Sequence, residues 1–182
     1  PKPSQLFSTS STLQSKPMRK SFFLSLLFLC CFFQTNAQST TSSNVLFVLD
    51  ASGSMWQKLE GEFKIATAKT VMQKLVEGLP ADTRAGLVAY GHNRKSDCKD
   101  IETLLPINVL DKKAFAEKLN ALDPKGMTPI AKSLEHALAL IEKETAPVTC
   151  ILVSDGLETC EGNACELVRQ AKAKGVKITV HV

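Results

Sequence analysis

Acidic residues are missing from the first 38 positions of this 182-residue chain, which carry Lys2, Lys16, Arg19 and Lys20. Those four bases account for the whole formal excess of +4, because the 18 Lys and Arg that remain face 18 Asp and Glu. A neutral body has no basic stripe with which to neutralise phosphates, so nucleic acid is excluded as a partner, and no basic amphipathic helix points to a membrane surface. Three catalytic or nucleotide signatures are also missing: there is no H-E-x-x-H, no G-x-S-x-G and no G-x-x-x-x-G-K-[ST]. Position 52 is Ser, so no second Asp follows Asp50 by two residues to serve as a phosphatase acid. No internal repeat is present. What remains is ordinary globular composition, 44% hydrophobic and 22% charged, in a length that suits one domain with a core.

Met18-Arg19-Lys20, the uncharged run Ser21–Phe33 and the polar stretch Gln34–Gln38 have the three regions of a secretory signal peptide at 18–37. Cleavage after Ala37 places small residues at Thr35 and Ala37. The run is thirteen residues, short of the roughly 20 that a membrane span needs, so no transmembrane anchor is expected in the mature chain. Residues 1–17, rich in Ser, Thr, Gln and Pro, read as a disordered or upstream segment, and 38–43 as a linker. The expected location is secreted, periplasmic or at the cell envelope.

From residue 44 onward, apolar runs alternate with helical patterns, the signature of an α/β fold with a mostly parallel central sheet and helices on both faces. Val45–Leu49 and Val148–Val153 read as central strands buried on both sides. Ala85–Tyr90 reads as a third strand, and Ile101–Leu105 as a short one whose Pro106 suits an edge. Helical spacing places Ile65, Ala68, Met72 and Val76 on one core face, and Phe115, Leu119 and Leu122 on another after Asp111. Pro129 suits the first position of a helix with Ile130, Leu134, Ala137, Leu138 and Ile141 as its stripe. Asn163 and Glu166 resemble a capping box, and Gly175 stops that helix before a strand at 176–182. A strand at the very end leaves its apolar face without a cover, so the domain at 44–182 is expected to be incomplete at its C-terminus.

Asp50-Ala51-Ser52-Gly53-Ser54 follows the first strand, where open α/β sheets present ligand loops. Asp, Ser and Ser at i, i+2 and i+4 aim three oxygens at one point, and hard oxygens suit Mg²⁺, or Mn²⁺ or Ca²⁺. The plain alternative is a helix-capping turn. Gly126-Met127-Thr128-Pro129 adds a hydroxyl at a helix start, and Ser154-Asp155-Gly156 adds a carboxylate after the second central strand. With the set D-x-S-x-S, T, D complete, residues 44–182 resemble the von Willebrand factor A domain family, whose metal-ion-dependent adhesion site uses these residues in this order. The resemblance implies a Rossmann-like fold in which Ser52, Ser54 and Thr128 offer hydroxyls to an ion. Asp50 and Asp155 then supply carboxylates, at least partly through bridging water. The segments Ala89–Lys95, Cys98–Glu102 and Ser154–Cys160 further resemble a subgroup of exported bacterial proteins with this domain.

Export makes disulfides permissible. Cys150 lies in a buried strand and reads as a core residue, whereas Cys98, Cys160 and Cys165 follow strands on the site-bearing face. One bridge among these three is expected, with Cys160 to Cys165 the shortest-range choice. A zinc site from the three with His92 matches no common zinc spacing. His136 is expected on an exposed helix side, and His92, Arg94 and Lys95 in a loop that could line the approach of an acidic partner. Met55 and Trp56 read either as exposed anchors or as a cover for the core.

In the family, an ion with an open position captures a Glu or Asp of a protein partner. The resemblance therefore implies an exported, metal-dependent binding module and no enzyme. The alternatives are a metal-dependent hydrolase, or a regulatory subunit of a chelatase-type ATPase, which the signal peptide argues against.

Overall fold

The computed structural model describes residues 44–176 and 178–181. The expected signal peptide, the segment before it and the 38–43 linker lie outside the described residues. Five strands form the main sheet: β1 (Asn44–Asp50), β4 (Arg84–Tyr90), β5 (Ile101–Val109), β6 (Val148–Val153) and β7 (Ile178–His181), in the order β5-β4-β1-β6-β7. All pairings are parallel except β4 with the edge strand β5. A two-stranded hairpin, β2 (Lys58–Leu59) with β3 (Glu62–Phe63), stands apart.

Because β1 is central, its alternate residues feed two cores. Leu46 and Val48 face Leu134, Ala137 and Ile141 of α3 (Ile130–Ile141) and Ala171 of α4 (Ala164–Ala173). Val45, Phe47 and Leu49 face Ile65, Met72 and Val76 of α1 (Lys64–Gly78) and Phe115 and Leu119 of α2 (Lys112–Asn120). Phe47 and Phe115 meet edge to face with ring centroids 5.4 Å apart, a geometry worth about 0.5–1.5 kcal/mol beyond burial. The expected helical stripes are the buried ones. No helix among the described residues is long and apolar enough to cross a membrane.

Several expectations are corrected. β6 is not buried on both sides: Thr149, Ile151 and Val153 are half-buried, the second core covering them less fully than it covers β1. β5 does not stop before Pro106. It runs to Val109, because on an edge strand the missing N–H faces no partner, and the pairing register slips between Ala85 and Val88 on the neighbouring strand. Pro129 is the residue before α3 rather than its first residue. Asn163 caps α4 by accepting from Glu166 N–H at 3.0 Å, but only half of the capping box forms, since the Glu166 carboxylate turns to Arg169 and Gln170.

Candidate metal centre

β1 and β6 run parallel and end together, so the residues after them share one rim of the sheet. Asp50, the last residue of β1, is fully buried. Its Oδ1 accepts the Ser52 N–H at 2.8 Å and its Oδ2 accepts Ser154 Oγ–H at 2.7 Å. That first bond folds the chain back so that Ser52 and Ser54 stand side by side, with their Oγ atoms 3.0 Å apart. Ser54 Oγ in turn donates to Asp155 Oδ1 at 2.9 Å. A short 3-10 helix follows (Gly53–Trp56), yet the Ser52 side chain caps none of its backbone N–H groups and lies instead against Ser54 Oγ.

Thr128 reaches the same place through three glycines. Gly53 N–H donates to Gly126 O at 2.9 Å and Gly126 N–H to Gly91 O at 2.7 Å, drawing three loops together. A Cβ on Gly126 would lie 2.3 Å from Arg94 O, and one on Gly91, whose φ is +70°, would lie 2.6 Å from Met127 O. Neither position admits a side chain. The Thr128 N–H is held by Thr159 Oγ1 at 2.7 Å. Ser54, Thr128, Asp155 and Gly156 then border an open cavity of about 360 Å³, with Met127 and Leu157 on its rim. A Cβ on Gly156 would come within 3.6 Å of both Ser54 Oγ and Thr128 Cγ2 and 3.9 Å of Asp50 Oδ2. The five expected ligand residues therefore converge on one spot.

These oxygens fit a small hard cation. The donor set is hydroxyl and carboxylate oxygen only, as such ions prefer, and the Ser52, Ser54 and Asp155 oxygens are gathered within hydrogen-bond distance of one another, at 3.0 and 2.9 Å. The electrostatics agree. Among the described residues no ion pair reaches Asp50, and a buried carboxylate without a counter-charge is costly. Tyr90, its register partner, is fully buried; burial first, and the Asp50 charge next, push the phenol far up its scale, so it stays neutral.

The neighbouring candidates separate. Cys98 and Cys160 form a disulfide, with Cys150 buried and Cys165 free and exposed, in place of the short-range Cys160–Cys165 bridge. Strand order explains the choice: the loops after β4 and β6 meet over the rim, while Cys165 has already entered α4. Burial pushes the Cys150 thiol up to about 12, as suits a core residue. The Cys98–Cys160 bridge takes up two of the four side chains of the zinc alternative. His92 is not a solvated loop residue. It is buried and its Nε2 lies 3.1 Å from Glu102 Oε2, a carboxylate held below its usual range chiefly by the Asn93 amide. Arg94 pairs with Asp97, and Lys95 is exposed. His136 is half-buried and bonded to Thr103 Oγ1 at 2.7 Å. Met55 is buried, whereas Trp56 is 47% exposed, packed against Phe63 and donating to Pro124 O.

Two residues of this rim are not legible from the motif. Ser154 orients Asp50, and Lys64 Nζ lies 2.5 Å from Asp155 Oδ2. Lys64 opens α1, where a cation opposes the helix dipole; that misplacement is the signal that could have singled it out.

The family profile of the von Willebrand factor type A domain matches residues 44–181. The Bacillus subtilis protein YwmD is 34% identical over 155 residues, 80% of this chain and 69% of its own. Among solved structures, the vWF domain of the type V pili tip protein Mfa5 from Porphyromonas gingivalis superposes with a TM-score of 0.51 at 26% identity, covering 63% of this chain and 38% of that one. Manganese-loaded Plasmodium vivax TRAP protein gives 0.57 at 20% identity, covering 76% and 56%. The chain thus spans little more than half, or less, of these solved chains.

Proposed function

The chain belongs to the von Willebrand factor type A domain family, and from that premise we propose that it is an exported, adhesion-type binding module that captures a protein partner's Asp or Glu through a divalent ion. The observation that carries this reading is the fully buried Asp50 carboxylate, without a cation partner among the described residues, at the rim where the Ser52 and Ser54 hydroxyls, Thr128 and Asp155 come together. Ser52, Ser54 and Thr128 would hold the ion, with Asp50 and Asp155 supplying charge directly or through water. Once bound, Mg²⁺ or Mn²⁺ supplies a Lewis-acidic position that a carboxylate can complete.

The chain's own residues do the rest. Both Asp50 oxygens are engaged by Ser52 N–H and Ser154 Oγ–H, so the carboxylate serves as a fixed charge and not as a free general base. That favours binding over hydrolysis, as does His92, which is turned away onto Glu102. The open cavity admits a side chain from outside. Export through the leader at 18–37 agrees with the Cys98–Cys160 disulfide, which persists in an oxidising compartment. The neighbours add that this fold occurs in a type V pili tip protein and in a manganese-loaded protein.

The test is a pull-down from envelope extract with Mg²⁺ present, with a chelator, and with Thr128→Ala. Partners held only in the first condition support capture through the ion. Partners held equally in all three show that binding uses another surface.

A further inference from the structure

Lys64 has no helical reason to be where it is. It is the first residue of α1, its helix has no acidic residue in the first turn and no side-chain cap, and an ammonium there meets the positive end of the dipole. Its Nζ instead reaches across 91 positions of sequence to Asp155 Oδ2 at 2.5 Å and is steadied by Gln57 Oε1 at 2.9 Å. The pair is not a loose surface contact of the kind that contributes little: the two side chains are 22% and 12% exposed. The other oxygen of Asp155 accepts from Ser54 Oγ, which lies against Ser52 Oγ, so a continuous line of contacts joins the ammonium to two of the ion-holding hydroxyls.

We infer that Lys64 is a tethered counter-cation of the metal centre, a positioning residue that keeps Asp155 and the serine hydroxyls assembled before an ion arrives and that lowers the affinity for that ion. The inference rests on the metal-site reading above. Asp50 and Asp155 together carry two negative charges. A divalent ion alone would balance them, but with Lys64 in contact the loaded rim keeps one positive charge in excess. Repulsion between ammonium and ion weakens ion binding, and the residual positive charge is one that a partner's carboxylate neutralises. Glu158, the next carboxylate along the loop, is tied to the N–H groups of Ala131 and Cys160 and so is not free to ligate the ion, which leaves Asp50 and Asp155 as the carboxylates in contact with the hydroxyl set.

The test titrates the full chain with Mn²⁺ by calorimetry, comparing wild type with Lys64→Met, Lys64→Gln and Lys64→Arg, and follows thermal unfolding of each with and without Mn²⁺. Removing the charge is expected to tighten Mn²⁺ binding by about tenfold or more, from the Coulomb energy of a divalent ion and an ammonium a few ångströms apart at a partly wet site. Lys64→Met and Lys64→Gln should unfold earlier than wild type in chelator and gain more from added Mn²⁺, while Lys64→Arg should behave as wild type. Lys64→Gln keeps a donor for Asp155, so the affinity comparison stands even where Lys64→Met does not fold. Equal or weaker Mn²⁺ binding by the neutral variants, with wild type binding normally, overturns the role of Lys64 alone. No Mn²⁺ binding by wild type and variants overturns the metal centre and this inference with it.

Discussion

The two ends of the parallel strands treat charge in opposite ways. Where β1 and β4 begin, Arg84 grips Glu144 through both guanidinium nitrogens, donates to Ile107 O at 2.8 Å, and leaves Asn44 to complete the group at 3.5 Å. One cation meets one anion, and that end is closed. Where β1 and β6 end, Asp50 is buried with no cation beside it and Asp155 has one ammonium for company. The same sheet therefore carries a self-neutralised pair at one end and an uncompensated charge at the other. A half-buried ion pair needs nothing further, whereas a buried carboxylate surrounded by hydroxyls is a demand for a cation.

Substitutions can break this contrast from either side. The largest expected effect is on the disulfide that ties the two loops at the open end: Cys98→Ser with Cys160→Ser should lower unfolding stability by about 2–4 kcal/mol, measured by urea titration, because a long loop is released. A loss near zero would mean that the loops over the site are held by their backbone bonds alone. At the closed end, Arg84→Ala should cost about 1–3 kcal/mol by leaving Glu144 half-buried and unpaired, while Mn²⁺ affinity stays as in wild type. A changed affinity would show that the ends are coupled. Thr128→Ala inverts that pattern. It should weaken Mn²⁺ binding on the order of tenfold with little loss of stability, because Pro129 and not Thr128 immediately precedes α3. The smallest effect is expected from Gly156→Ala, whose methyl would make only ordinary contacts at 3.6 Å. Unfolding should be unchanged and Mn²⁺ binding reduced by a few fold, since the methyl stands in the space that the ion's remaining ligands need.

How far the sequence reveals each end follows from what kind of interaction builds it. The helical faces of α1 and α2 are legible because apolar spacing reports burial directly; of the five proposed ligand residues, Asp50, Ser52 and Ser54 form one closely spaced run, whereas Thr128 and Asp155 come only with the family resemblance. Lys64 and Ser154 act through partners 91 and 104 positions away, and no local pattern encodes such a pairing. The sequence narrows the disulfide to three cysteines but not to a pair, because loop meeting depends on strand order, and proximity along the chain favours Cys160–Cys165 over the Cys98–Cys160 pair that forms. β5 passes Pro106 because an edge strand forgives a missing donor, a property of sheet order that a run of residues does not display. Buried His92 shows the reverse error: a cationic neighbourhood in sequence reads as solvent, while its side chain turns inward to Glu102.

If the buried charge of Asp50 is there for a divalent ion, calorimetric titration of the wild-type chain and of Asp50→Asn with Mn²⁺, each also unfolded in chelator, reads it out. Asn keeps an oxygen for the Ser52 N–H and an amide that can donate to Ser154 Oγ, so the fold survives the exchange. One Mn²⁺ per wild-type chain is expected, none on Asp50→Asn, and an ion-free Asp50→Asn at least as stable as ion-free wild type, because a neutral amide needs no counter-charge. Mn²⁺ bound equally by both chains, or an ion-free variant markedly less stable than wild type, would contradict it.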